Sequence, residues 1–216
     1  MTKKLVVITM MFFAALAIFA QQRMAGEAMA LLRDASMKMK NARSLNIDFT
    51  MKLSVMPTIN MKLQKVNDRM SLQIEDETTY FYNHIMWICD QSDKSVIIQG
   101  QRDDSEQMLA LMALMPDGFS EDGRVISDKS FVIGQYVFTV NRAKDDFVLS
   151  SKIDRTSITI IINSKTGKFG KLKLKRGLLT LSFIYNEINY SCSEDRVIFT
   201  VAKYPNFKIK DNRNTM

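Results

Sequence analysis

Few side chains in this 216-residue chain are equipped to make or break bonds. His84 is the sole histidine, and Cys89 and Cys192 are the only cysteines. A four-sulfur zinc site needs twice that number, and a nucleophile–base relay needs its histidine in a built pocket. His84 instead falls in Asn83-His84, which reads as a turn between two strands. Lys165-Thr166-Gly167 matches one signature of the penicillin-binding enzymes, yet no Ser-x-x-Lys occurs anywhere in the chain, so a hairpin turn is the better reading. Glu75-Asp76-Glu77 reads as a solvated hairpin tip rather than a carboxylate pair. No catalytic residue, metal ligand or cofactor is therefore assigned, and the chain is read as a protein other than an enzyme.

The informative residues are apolar. Met108-Leu109-Ala110-Leu111-Met112-Ala113-Leu114-Met115 follows a helix start at Asp104-Ser105-Glu106-Gln107 and ends at Pro116. Eight residues cannot span a bilayer, and a helix with no polar face is either buried on all sides or covers something apolar. Its aspartate- and glycine-containing flanks give it the form of a lid over a hydrophobic cavity, with a core helix as the plainer alternative. Thirteen of the sixteen methionines lie beyond residue 20, many near this run and the first strands. Flexible thioethers suit either adaptable ligand binding or a loosely specified core.

The N-terminus reads as a targeting segment. Lys3 and Lys4 precede an uncharged run from Leu5 to Phe19, and Ala20-Gln21 offers a cleavage point. Fifteen apolar residues fall short of the roughly 17–25 that a membrane anchor needs. The expected organisation is a signal peptide at 1–20 and one domain at 21–216. Removing residues 1–20 lowers the formal charge from +7 to +5, a mild and diffuse excess that argues against nucleic acid as a partner. Export also permits a Cys89–Cys192 disulfide, although spacing alone cannot establish one.

An amphipathic helix is predicted over 24–41, with Met24, Ala28, Leu31, Ala35 and Met39 on one side. From Ser44 the period becomes two: Leu45, Ile47, Phe49, Met51, Leu53 and Val55 alternate with polar residues. Further strands are expected at 59–65, 70–74, 79–82, 86–89, 96–99, 131–140, 147–150, 157–163, 169–175, 178–185, 188–192 and 197–201. Short polar turns between them argue for antiparallel connections throughout. A rolled sheet of about a dozen strands leaves room for a cavity or a plug, and the N-terminal helix is a candidate plug. Lys171, Lys173 and Lys175 alternate with Leu172 and Leu174. Such lysines protect an exposed sheet face or edge, or meet an acidic membrane partner.

The order of these pieces resembles a family. The export segment and helix are followed by Ser44-Leu45-Asn46-Ile47-Asp48-Phe49-Thr50 and by Tyr82-Asn83-His84-Ile85-Met86-Trp87-Ile88-Cys89. The chain closes on Phe199 and Tyr204-Pro205-Asn206-Phe207-Lys208-Ile209-Lys210-Asp211. Together they are similar to the LolA-like outer-membrane lipoprotein carriers, over nearly the whole segment after residue 20. The resemblance implies a mainly β fold, an incomplete antiparallel barrel of about 11–12 strands with an N-terminal helix and a helical lid over a hydrophobic cavity. It implies a monomeric periplasmic carrier that takes acylated lipoproteins from an inner-membrane releasing transporter to an outer-membrane acceptor.

Under that resemblance the acyl chains would meet Phe49, Met51, Leu53, Met61, Leu63, Leu72, Ile74, Trp87 and the lid residues Met108, Leu111, Met112 and Met115. Burial would contribute about 25 cal/mol per Å² of apolar surface, opposed by the lid's own tendency to fill the cavity. Family members often fasten the lid with an arginine on the second strand. Here the basic positions are Lys65, followed by Val66 rather than proline, and Arg69; a lysine lacks the planar fork of arginine. A sensor or lipid-binding protein of the same fold, and a lipid-processing enzyme, are the alternatives.

Overall fold

The computed structural model describes residues 24–100 and 119–213. The expected signal peptide and the apolar run containing Met108, Leu111, Met112 and Met115 lie outside these residues. Helix α1 occupies 24–40. The first strands are β1 (Ser44–Leu53), β2 (Ile59–Val66), β3 (Arg69–Ile74), β4 (Glu77–Tyr82), β5 (Ile85–Asp90) and β6 (Ser95–Gly100). Then come β7 (Gly123–Ser127), β8 (Ser130–Ile133), β9 (Tyr136–Ala143), β10 (Asp146–Ile153), β11 (Thr156–Asn163) and β12 (Phe169–Arg176). Strands β13 (Leu179–Asn189) and β14 (Lys208–Asp211) close the chain. The fold is mainly β, as expected, and the described residues form fourteen strands where about 11–12 were expected. Among the described residues β7 and β14 each have a single neighbour, so these strands form an open sheet, consistent with an incomplete barrel.

The described chain forms two compact units. In the first, from 24–37 and 119–178, the strand order is β12-β11-β10-β9-β8-β7, antiparallel throughout. One face of this sheet presents Phe131, Ile133, Phe138, Val140, Phe147, Leu149, Ile160 and Ile162, all buried. α1 packs within this unit. It buries Ala25, Ala28, Leu32, Ala35 and Ser36, a face that keeps the expected period but is centred one residue from the expected set at two positions. The helix lies close to β7: a Cβ on Gly123 would lie 2.7 Å from Met29 Sδ, and one on Gly26 would lie 3.8 Å from Val125 Cγ2. Arg33 Nη2 donates to Asp122 Oδ1 at 2.8 Å.

In the second unit, from 38–100 and 179–213, the order is β14-β6-β5-β4-β3-β2-β1-β13. β1 to β6 form an antiparallel meander because the linking turns are short, two to five residues each. At the β4–β5 hairpin Asn83 and His84 both have positive φ, 49° and 58°, the geometry of a two-residue turn matched to strand twist. Strand β14 departs from the expected antiparallel rule: it pairs with β6 in parallel, Lys208 opposite Ser95. The parallel arrangement is available because residues 190–207 are long enough to cross the sheet.

Other differences have local causes. The segment expected as one strand at 131–140 is two, β8 and β9, folded at Gly134 with φ of 53°. The segments at 178–185 and 188–192 are one strand, β13, which absorbs a bulge at Asn186 opposite Asp48 and Phe49. Residues 197–201 are not a strand; 197–200 link short 3-10 turns at Glu194–Arg196 and Val201–Lys203.

Candidate functional site

Antiparallel register sorts the side chains of the second unit onto two faces, since directly opposed residues share a face. Phe49 faces Met61, which faces Ile74. Ile47 faces Leu63, which faces Leu72. On the other flank of β1, Phe49, Met51 and Leu53 oppose Tyr185, Phe183 and Leu181. Seven residues expected to line a cavity thus fall on one face: Phe49, Met51, Leu53, Met61, Leu63, Leu72 and Ile74. Phe49, Met61, Leu63 and Leu72 are buried, whereas Met51, Leu53 and Ile74 are half-buried.

Trp87 is on the opposite face, in register with Tyr80 and Ser71. It stacks on Phe199 with centroids 5.8 Å apart and planes 14° from parallel. The structure therefore does not bring it to the other seven. The two basic positions also separate. Lys65 lies on the Phe49 face between Leu45 and Met70, while Arg69 lies on the Trp87 face with its guanidinium 4.8 Å from the Tyr82 ring centroid. One contact partner could not be latched by both.

The Phe49 face also holds residues that the sequence reading passed over. Phe183 is buried with its ring centroid 6.1 Å from that of Phe49, and Phe81 and Met86 are buried across β4 and β5. Burial holds the Tyr185 phenol well above its ordinary range. The signal was present in Leu181, Phe183 and Tyr185, which alternate along one strand.

On the Trp87 face the C-terminal segment crosses the sheet. Ser71 Oγ donates to Arg196 O at 3.0 Å, and the Tyr80 and Tyr204 hydroxyls meet at 2.9 Å. Lys203 Nζ donates to Ile198 O at 2.7 Å and to Asp195 O. Beneath this strap Cys89 is buried, and burial pushes its thiol up to about 11. Cys192 sits beside Ser44, and both cysteines are free. Four strand spacings separate β1 from β5, about 19 Å along the sheet, far beyond disulfide reach.

The remaining polar features are structural. A groove of about 450 Å³ beside the bulge is lined by Asp48, Asn60, Lys62, Gln73, Glu75 and Asn186 among others. There Lys62 pairs with Asp48 at 3.4 Å, and Asn186 Nδ2 donates to Thr50 Oγ1, whose hydroxyl donates to Asn60 Oδ1. The Lys165-Thr166-Gly167 segment is a turn: Asn163 Oδ1 accepts from Lys165 N and Thr166 N, and Gly167 has φ of 65°. His84 is exposed at its hairpin tip. Among the described residues no three His, Cys, Asp or Glu side chains are grouped to hold a metal ion.

No protein-family model and no curated protein matches the chain. Solved structures of similar topology include an uncharacterized conserved protein from Thermus thermophilus, at 6% identity and TM-score 0.48, covering 82% of this chain and 94% of that one. LprF from Mycobacterium bovis is similar at 10% identity and TM-score 0.47, over 78% of this chain and 95% of that one. The LolA superfamily protein NE2245 from Nitrosomonas europaea is similar at 10% identity and TM-score 0.36, over 81% and 98%. These are remote likenesses of fold.

Proposed function

We propose that this chain is an exported carrier whose Phe49 face receives the acyl chains of lipoproteins and shuttles them between the inner and outer membranes. The observation that supports this reading is the composition of that face. Phe49, Met61, Leu63, Leu72, Phe81, Met86 and Phe183 form one apolar surface across six strands, with two methionines among its buried members. The opposite face of the same strands carries Asn46, Gln64, Ser71 and the C-terminal strap. Apolar chains leaving water for such a surface gain about 25 cal/mol per Å² buried. Methionine side chains can re-pack around chains of different length. The sequence resemblance to LolA-like carriers supports the same cargo, and Lys65 at the margin of this face could donate to its carbonyl oxygens.

The test is transfer. Incubating the purified chain with spheroplasts that display newly acylated outer-membrane lipoproteins should yield a soluble equimolar complex. Ile74→Asp places a charge on the half-buried part of the face and should abolish release while leaving the fold intact; Met112→Asp tests the expected lid in the same way. Failure of the folded wild-type chain to release any lipoprotein would contradict the carrier reading.

A further inference from the structure

The sheet of the first unit has a second face, turned away from the buried aromatic residues. Register places on it Val148 opposite Ile161 and Ile161 opposite Lys171; Ser150 opposite Thr159 and Thr159 opposite Lys173; Lys152 opposite Ser157 and Ser157 opposite Lys175. Arg124 and Val132 form a further row. Every aromatic side chain of these strands, Phe131, Tyr136, Phe138, Phe147 and Phe169, is on the other face by the same register. The face therefore carries five cations, small hydroxyl residues and β-branched residues. Asp146 is its one strand carboxylate, and it already accepts from Asn163 Nδ2 at 3.2 Å.

Lys152, Lys175 and Arg124 are exposed and Lys171 and Lys173 half-exposed, with no ion-pair partner for any of them among the described residues. Alternate positions on a strand are about 6.6 Å apart, so the three β12 lysines form a row of point charges along one line. Protein-binding surfaces are enriched in aromatic residues and arginine and depleted in lysine. A lysine face without aromatic anchors suits a diffuse anionic plane better than a shaped protein partner.

The geometry points to this face as a docking surface for an anionic phospholipid bilayer. Lys171, Lys173 and Lys175 supply the central charges, and Lys152 and Arg124 extend them. The inference does not depend on the acyl-binding reading, because it uses the other unit and a different sheet face.

The experiment is vesicle co-sedimentation of the full chain with neutral phosphatidylcholine vesicles and with vesicles containing phosphatidylglycerol. Because the apolar run Leu5–Phe19 could itself enter lipid, the quantity read is the preference for anionic over neutral vesicles. At low salt the preference should be large and should fall as salt is raised, since exposed charges are screened. Each cation near an anionic surface gives about fivefold, so Lys171→Glu/Lys173→Glu/Lys175→Glu should lose more than about a hundredfold. Lys38→Glu/Lys40→Glu, a charge change elsewhere, should retain most of the preference. The milder Lys171→Gln/Lys173→Gln/Lys175→Gln gives the same reading if the glutamate variant does not fold. Ile74→Asp should dock as wild type does, which separates this surface from the acyl face. Equal binding of wild type and the triple variants, or no preference for anionic vesicles, would overturn the proposal. Salt-sensitive binding to polyglutamate but not to vesicles would also overturn it, in favour of an acidic protein.

Discussion

The hydroxyl of Tyr80 lies 2.9 Å from that of Tyr204, a buried contact between residues 124 apart in the chain. It fastens the C-terminal strap to β4 at the centre of a cluster that also contains Cys89, Val96, Trp87 and Phe199. One hydroxyl donates and the other accepts, so removing either takes a hydrogen-bond mate from a buried partner; Tyr204 keeps a second contact with the Cys89 thiol. Tyr204→Phe or Tyr80→Phe should therefore cost about 1–3 kcal/mol, and the double variant less than the sum of the two. Chemical denaturation of the three variants reads this directly; additive losses would show that the pair is not coupled.

Trp87 is the chain's one tryptophan, so its emission reports strap docking without interference. Phe199→Ala removes the ring stacked on it and should admit water, shifting emission to the red before global unfolding begins. Emission unchanged from wild type would mean that Trp87 is shielded by something other than the strap.

Alkaline pH should loosen the same cluster. Burial raises the thiol of Cys89 from 9.0 to about 11, and burial also raises the phenols of Tyr80 and Tyr204. A raised acid holds its proton in the folded chain at pH values where the unfolded chain has released it. The contribution of Cys89 is thus intact below pH 9 and is lost progressively between pH 9 and about 11. Melting temperature should fall across that window, and Cys89→Ala should flatten part of the fall. A wild-type melting temperature independent of pH from about 8 to about 11 would contradict the assignment.

At Gly123 an added methyl would meet Met29 Sδ at 2.7 Å, Ile133 Cγ1 at 2.8 Å and Val132 O at 2.9 Å. The two side chains can yield, but the carbonyl belongs to a paired strand. Gly123→Ala should cost about 1–3 kcal/mol by straining the β7–β8 pairing against the Val132 carbonyl. A thermal melt within about 1 °C of wild type would show that β7 and β8 do not approach so closely at Gly123.

The legible parts of this molecule were those with a strong period. Leu45 to Leu53 announces β1, and the alternation of Lys171, Lys173 and Lys175 with Leu172 and Leu174 announces both faces of β12. The Asn83-His84 turn was readable because Asn tolerates positive φ. β7 was not readable: Gly123-Arg124-Val125-Ile126-Ser127 lacks clean alternation and is a strand because it pairs with β8. β14 is Lys-Ile-Lys-Asp with every residue exposed, and pairing with an otherwise open edge defines it. Trp87 was placed by apolarity alone. Its strand is apolar on both faces because the strap covers one of them, so alternation could not tell which side Trp87 takes.

The carrier proposal requires ligand to meet the Phe49 face rather than the Trp87 face, and adjacent residues on β3 distinguish the two. Ile74 is in register with Met61 and Phe49, whereas its neighbour Gln73 is in register with Lys62 and Asp48. A photoreactive phenylalanine analogue at position 74 should cross-link to the acyl chains of a lipoprotein during release from spheroplasts, and the same analogue at position 73 should not. Cross-linking from position 73 with none from position 74 would contradict the account.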